Sequence, residues 1–415
     1  MLHAICIFED KSFSQLYPLS LTRPVFELRC GMSRLKDKMR RRFPKSTLYL
    51  SCRDYLAETV RQENPGVKVN ELDSESCLFL NGRTLLDKNL TEIVQNSEER
   101  IYTAGKNVVA IFLKKDTFAK VLSRDGVDFD IGSVDVPCTE VEAKTIEYPW
   151  DLVNQNASQI LADFDFLGAG GKNLGDISKH AVLLNKPRIY IGSGSKVKPG
   201  AVLDAEHGPI YLGENVTVMP NAVIAGPAFV GDNSLIKIGA KIYEETSIGE
   251  WCKVGGEVEE SIIHSFSNKQ HEGFLGHSYL GQWVNIGADT NNSDLKNNYS
   301  HVKVQIDGEM VDSGSQFVGL FMGDHSKTGI NTMFNTGTVV GVMSNVFGAG
   351  FPPKFIPSFA WGGSEGFVEH DPDKALATAR RVMARRKIAL SKEYENMLRD
   401  VFKLTAHERV HPGGS

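Results

Sequence analysis

The chain is poor in cysteine. It has six in 415 residues (Cys6, Cys30, Cys52, Cys77, Cys138 and Cys252), and no two form a CxxC pair. That argues against a disulfide framework and a cysteine-based zinc site, and it makes a reducing cytoplasm the expected setting. No apolar run approaches the ~18 residues needed to span a bilayer, so no membrane association is expected. The apolar start, 1–8, meets Glu9, Asp10 and Lys11 too soon for a signal peptide and reads as a first strand. Basic excess is also missing. Lys plus Arg is 46 against 51 for Asp plus Glu, a formal charge of −5, which argues against a nucleic-acid partner. Arg40-Arg41-Arg42 and the arginine-rich stretch from Arg380 to Lys387 are local, and they read as solvated or packing helix faces. Glycine is scarce in the first part of the chain. Of 39 glycines, 33 follow residue 165, which marks two unlike halves.

The spacing predicts an α/β unit over residues 1–165. Strands are expected at 3–8, 47–51, 77–80 and 108–113, with a helix over 32–42, and their alternation implies a mostly parallel sheet. Beyond residue 185 the period changes to six. Leu212, Val218, Ile224, Val230, Ile236, Ile242, Ile248 and Val254 follow one another without a break. Four places after each stands a mostly small residue: Val216, Ala222, Ala228, Ser234, Ala240, Thr246, Cys252 and Val258. A second run is Met322, Thr328, Phe334, Val340 and Val346. Neither a helix nor an alternating strand has this period, whereas the hexapeptide repeat of a parallel β-helix does. Corners should favour Gly, Asn and Asp, which tolerate positive φ. Residues 259–273 break the phase, and the polar stretch 290–316 has no repeat, as expected of a functional loop. The expected partition is 1–165, 166–360 for the β-helix, and 361–415 for a C-terminal part. In the last, Asp371-Pro372-Asp373 caps one helix from 374 to 403 and a disordered tail covers 407–415.

The repeat region resembles the left-handed β-helix acyltransferases. His271-Glu272-Gly273-Phe274-Leu275-Gly276, followed by Asn285-Ile286-Gly287-Ala288, resembles the acetyl-transfer centre of the bifunctional N-acetylglucosamine-1-phosphate uridyltransferase/glucosamine-1-phosphate acetyltransferase family. The resemblance implies His271 as general base, Asn285 and Phe274 at the sugar, and Ala288 beside acetyl-CoA. Phe274 stands where the family has Tyr. The two basic residues that hold the sugar phosphate there align with Tyr243 and Ser261. The N-terminal part resembles sugar-1-phosphate nucleotidyltransferases through Leu16-Tyr17-Pro18-Leu19-Ser20, Thr22-Arg23-Pro24 and Leu78-Phe79-Leu80-Asn81-Gly82. It implies an α/β nucleotidyltransferase-like (Rossmann-like) domain that binds a nucleoside triphosphate and a sugar 1-phosphate with Mg²⁺. Arg23, Asn81, Gly82 and Arg83 would then touch substrate. Two departures stand out: residues 10–15 hold no glycine, with Gln15 in place of the family Arg, and Arg83 replaces the metal-binding Asp.

Acetyl transfer to an amine needs a base near neutral pH and a donor for the oxyanion. A histidine, with an ordinary pKa of about 6.5, and a backbone N–H supply them. Lys327 and Lys354, on late coils, are candidates to grip coenzyme A phosphates. These readings give a cytoplasmic transferase of sugar-nucleotide biosynthesis, expected as a homotrimer because β-helix faces pair and complete sites between subunits. It would carry out nucleotidyl transfer, acetyl transfer or both. Two alternatives stay open: a non-catalytic sugar-nucleotide-binding protein, favoured by Gln15 and Arg83, and a metal-dependent hydratase built on His264, His271 and His277.

Overall fold

The computed structural model describes residues 3–95, 98–118, 122–123, 126–127 and 135–409. The first part is built on a seven-stranded sheet of β1 (Ala4–Phe8), β2 (Thr47–Ser51), β3 (Lys68–Val69), β4 (Ser76–Asn81), β5 (Arg100–Ala104), β6 (Asn107–Lys114) and β7 (Cys138–Glu140). Their order across the sheet is β7-β5-β6-β4-β1-β2-β3. β1 lies between β2 and β4, parallel to both, and every residue of β1 is buried, as a continuous apolar run on a two-sided sheet requires. β6 runs antiparallel to both β4 and β5, while the other strand pairs of this sheet are parallel, so the sheet is mostly parallel, as expected, with one reversed strand. The helix expected from 32 is shorter, α1 (Leu35–Arg42), because Arg29–Cys30 and Ser33–Arg34 first form a two-stranded turn. α2 (Asp54–Glu63) buries Leu56, Ala57 and Val60.

From Asp176 the chain winds into a left-handed parallel β-helix of three faces. Face A runs from Ile189–Ile191 to Phe355–Ile356, face B from Asp176–Ile177 to Gly366–Glu369, and face C from Val182–Leu184 to Phe274–Gly276. Leu212, Val230 and Ile248 register in a column of face A at 18-residue intervals, so each coil takes three hexapeptides. All eight aliphatic residues of the first run point inward and are at most 2% exposed. The phase break has a simple cause. Ile248 registers with Ile263 and Val254 with Lys269, so this coil is three residues short. Val258, expected in a small-residue position, therefore lands in the inward column of face C beside Ile242 and Leu275.

Corners hold Asn215, Asn221, Asn233 and several glycines at positive φ, as expected. One corner column departs from this. Trp251, Phe266, Trp283, His325, Met343 and Phe359 also adopt φ between 56° and 61°. A left-handed conformation is costly for large side chains, and stacking offsets the cost. The rings of Phe266 and Trp283 lie 4.4 Å apart at 11°, and Trp283 and His325 lie 6.0 Å apart at 13°. The C-terminal segment covers part of this ladder. It is a pair of helices, α3 (Pro372–Ala384) and α4 (Lys392–Leu404), rather than the single helix expected. Lys387 at φ 60° turns the chain, and the Ser391 side chain caps α4. The expected Asp371 cap is present. Ala406–Arg409 form a last helical turn where disorder was expected, and 410–415 lie outside the described residues.

The units are clasped together. Leu16, Leu19, Val25 and Leu28 share a core with Ile262, Tyr279, Phe321 and Val339 of face A. The polar excursion after residue 290 is not a free loop. It forms a hairpin, Lys303–Ile306 against Glu309–Asp312, whose Val302, Val304 and Ile306 join that same core. The Arg40–Arg42 cluster is only partly solvated. Arg41 and Lys38 both bind the fully buried carboxylate of Asp163, at 2.6 and 2.5 Å.

Candidate functional site

Two groups of sequence-predicted residues lie in separate places. At the C-terminal end of β4, Asn81 is fully buried and donates to Asp10 and to the Val108 carbonyl, both at 2.8 Å. Gly82 packs so tightly that a Cβ would stand 2.8 Å from the Phe26 Cβ. Arg83, 1% exposed, binds both Asp10 oxygens at 3.0 and 2.6 Å and the Ile146 carbonyl at 3.0 Å. Beside it, Arg53 binds Glu9 at 2.8 and 3.0 Å. The glycine-free segment at the place of the family's phosphate loop is a 3₁₀ turn, Lys11–Leu16, with the Ser12 N–H capped by the Asp10 side chain. These carboxylates are each neutralised by an arginine. They do not offer Mg²⁺ an open oxygen set, so the residues here do not fit that metal. Arg23 is 7% exposed and pairs with Asp324, which also accepts from Thr22 Oγ1 at 2.8 Å and from the Gln282 N–H at 2.7 Å. Its charge is spent on the clasp to the β-helix.

The other group comes together on three consecutive coils. Asn268, Asn285 and Lys327 are register neighbours in the outward column of face B. The corner after Asn285 carries Ala288, and the next N–H, of Asp289, donates to the Glu272 carbonyl at 2.9 Å. That bond sets the His271–Glu272 corner against the Ala288 corner. His271 is exposed, and Phe274 follows at the start of its strand, half-buried, with its N–H on Asn291 Oδ1 at 2.8 Å. Burial pushes Lys327 down to about 8, and its Nζ donates to the His325 carbonyl at 2.6 Å.

One residue escaped the sequence reading. Lys269 occupies an inward position of face B between Val254 and Ile286, where the repeat demands an aliphatic side chain. It is 1% exposed, and Nζ donates to the carbonyls of Gly255 at 3.0 Å and His271 at 2.8 Å. Burial lowers it to about 8. Continuing the repeat across a coil of 15 residues instead of 18 would have found it. It ties the loop that carries His271 to the preceding coil.

The three histidines of the hydratase alternative do not meet. His264 is buried, with its ring on the Glu27 carbonyl at 3.0 Å and Ser265 Oγ at 3.1 Å. His277 lies between Asp294, 2.8 Å from Nδ1, and Glu260, 2.9 Å from Nε2. Both rings have their nitrogens engaged. Among the described residues no set of three or more His, Cys, Asp or Glu is placed to hold a metal ion. A cavity of about 610 Å³ opens elsewhere, between Tyr17, Asp307, Phe355 and Glu408, and takes in Lys354 but none of the other expected catalytic or binding residues.

Residues 5–172 match the family described as sugar nucleotidyl transferase. The chain is similar to bifunctional sugar-1-phosphate nucleotidylyltransferase/acetyltransferases. The enzyme of that name from Sulfurisphaera tokodaii is 26% identical over 287 residues, covering 69% of this chain and 60% of that protein. The bifunctional protein GlmU of Rippkaea orientalis is 30% identical over 201 residues, covering 47% of this chain and 35% of that one. The chain thus matches less than two thirds of the length of either relative. Among solved structures, Francisella novicida UDP-N-acetylglucosamine acyltransferase aligns at a TM-score of 0.30 and 12% identity, over 58% of this chain and 78% of that one. Among the described residues, no helix is long and apolar enough to cross a membrane.

Proposed function

We propose that the chain is a cytoplasmic enzyme of sugar-nucleotide biosynthesis that transfers an acetyl group from acetyl-CoA to the amine of an amino-sugar phosphate, on face B of the β-helix. The observation that supports this reading is the Asp289–Glu272 hydrogen bond, which brings the His271 corner against the Ala288 corner of the next coil, three residues after Asn285. His271 takes the proton of the sugar amine. The nitrogen attacks the thioester carbonyl, the C–N bond forms, the C–S bond breaks, and coenzyme A leaves as its thiol. Asn285 orients the sugar, Phe274 gives it an apolar wall, and a corner N–H near Ala288 receives the oxyanion. Lys327 holds a coenzyme A phosphate. The working units are 1–165, 166–360 and 361–415. A homotrimer places a neighbouring β-helix beside face B, since face A is already covered by the N-terminal unit.

For the N-terminal unit, the Asp10–Arg83 and Glu9–Arg53 pairs favour a second role. It keeps the nucleotidyl transferase fold as a docking and sugar-nucleotide-binding module. The test is thiol release from acetyl-CoA with glucosamine 1-phosphate, run on the wild type and on His271→Ala, beside pyrophosphate release from each nucleoside triphosphate. Thiol release that His271→Ala lowers by about 10²-fold or more supports the reading, given the usual worth of a positioned base. Thiol release unaffected by the substitution removes His271 from the mechanism. Pyrophosphate release by the wild type refutes the docking-only role of the N-terminal unit.

A further inference from the structure

Four cations from two separate elements meet along face B without a carboxylate among them. Lys253 stands in the outward column, in register with Leu235 on one side and Asn268 on the other. Lys237 follows Leu235–Ile236 at the corner of the neighbouring coil. Arg385 and Arg386 come from the end of α3. Arg386 Nη2 donates to Asn268 Oδ1 at 3.0 Å and reaches the Trp251 carbonyl at 3.4 Å, while its Nε is buried with no partner. Burial first, then the fields of Arg386, Arg385 and Lys237, pushes Lys253 below its ordinary range. Several buried cations of this chain have a counterion (Arg29 has Glu250, Arg53 has Glu9, Lys38 has Asp163 and Arg83 has Asp10), and Lys269 and Lys327 donate to backbone carbonyls instead. Among the described residues the four cations on face B have no counterion. Like charges gathered this way repel and cost stability until an anion joins them.

We propose that Lys237, Lys253, Arg385 and Arg386 form a subsite for a phosphate or diphosphate group, the anionic end of a ligand lying along face B. Arg386 supplies the planar donor fork suited to phosphate oxygens, and the lysines supply point charges. Lys253, Asn268 and Asn285 are successive members of one column. At the usual strand spacing the subsite is therefore about 10 Å from Asn285. That relation to the acetyl-transfer centre rests on the function proposed above, whereas the anion site itself does not. The phosphate belongs either to the amino-sugar phosphate or to coenzyme A.

The test is calorimetric titration of the full chain with inorganic pyrophosphate, coenzyme A and glucosamine 1-phosphate, on the wild type, Lys253→Gln and Arg386→Gln. The expected result is pyrophosphate binding that weakens with added salt and falls about tenfold in either variant, the usual worth of one charge-assisted contact. Unliganded melting temperatures of the variants should be no lower than wild type, because repulsion is relieved. Loss of coenzyme A affinity in the variants, with glucosamine 1-phosphate unaffected, assigns the subsite to the cofactor's phosphates. The converse assigns it to the sugar. Pyrophosphate affinity equal in all three proteins, or absent from the wild type, overturns the proposal. If acetyl transfer fails its own test while pyrophosphate binding behaves as expected, the subsite stands and the acetyl-transfer reading falls.

Discussion

Substituting His277 should cost stability in a pH-dependent way. The ring sits at a corner with φ 45°, 8% exposed, with Asp294 and Glu260 on its two nitrogens. Burial alone would lower its pKa. The hydrogen bonds and charges of the two carboxylates outweigh burial and raise it from 6.5 to about 9. A shift of that size corresponds to roughly 3 kcal/mol, trimmed to about 2–3 kcal/mol because Glu260 is partly open to solvent screening. The folded-state pKa lies above the unfolded one. The contribution is therefore complete below pH 6.5 and is lost as pH rises through about 9. His277→Asn keeps a residue that tolerates positive φ but cannot carry the charge. Urea unfolding of both proteins at pH 6 and at pH 10 should show a wide stability gap at pH 6 that narrows by about 2–3 kcal/mol at pH 10. Other groups titrate over that range, but they do so in both proteins and cancel in the difference. A gap of equal size at the two pH values would refute the reasoning, because it would mean that His277 is not held as an imidazolium.

Lys269→Met should remove a pH dependence of the opposite sign. The folded pKa of Lys269, about 8, lies below its ordinary 10.5, so the wild type should gain stability between those values, by denaturant unfolding, and the variant should not. Arg83→Ala removes the cation from Asp10, which keeps only Asn81, the Ser12 N–H and solvent, and should destabilise the N-terminal unit by about 1–3 kcal/mol, read as a fall in its melting temperature. Trp283→Ala should cost about 3–5 kcal/mol in thermal unfolding, because it empties the stack between Phe266 and His325.

The β-helix was legible because its core repeats a local rule, so Leu212 through Val254 announce it without reference to anything distant. The strands of the α/β unit were legible for a similar reason, as short apolar runs between turn signals. The corner aromatics were not. Phe266 and Trp283 violate the local preference for Gly and Asn, and their stacking on each other across neighbouring coils accounts for them. The single C-terminal helix failed at Lys387, where no glycine or proline marks the turn. The group of His271, Phe274, Asn285 and Ala288 was visible as a motif, and the coil register shows how its corners meet. Lys269 was hidden because the break in phase removed the frame in which a lysine would have looked out of place. Arg23 and Arg83 read as free charges because their partners, Asp324 and Asp10, are named only by the folded chain.

The clasp between Arg23 and Asp324 joins residues 301 positions apart. At roughly 5–20 residues per second, a ribosome adds that stretch in about 15–60 s. For that time the face of the first domain that will hold Leu16, Leu19 and Val25 has left the ribosome before the coils that cover it exist. Coils wound early can stack as they emerge, since each needs only its predecessor. The first domain cannot finish in that way. The interval before closure is when its bare apolar face most needs protection from other chains.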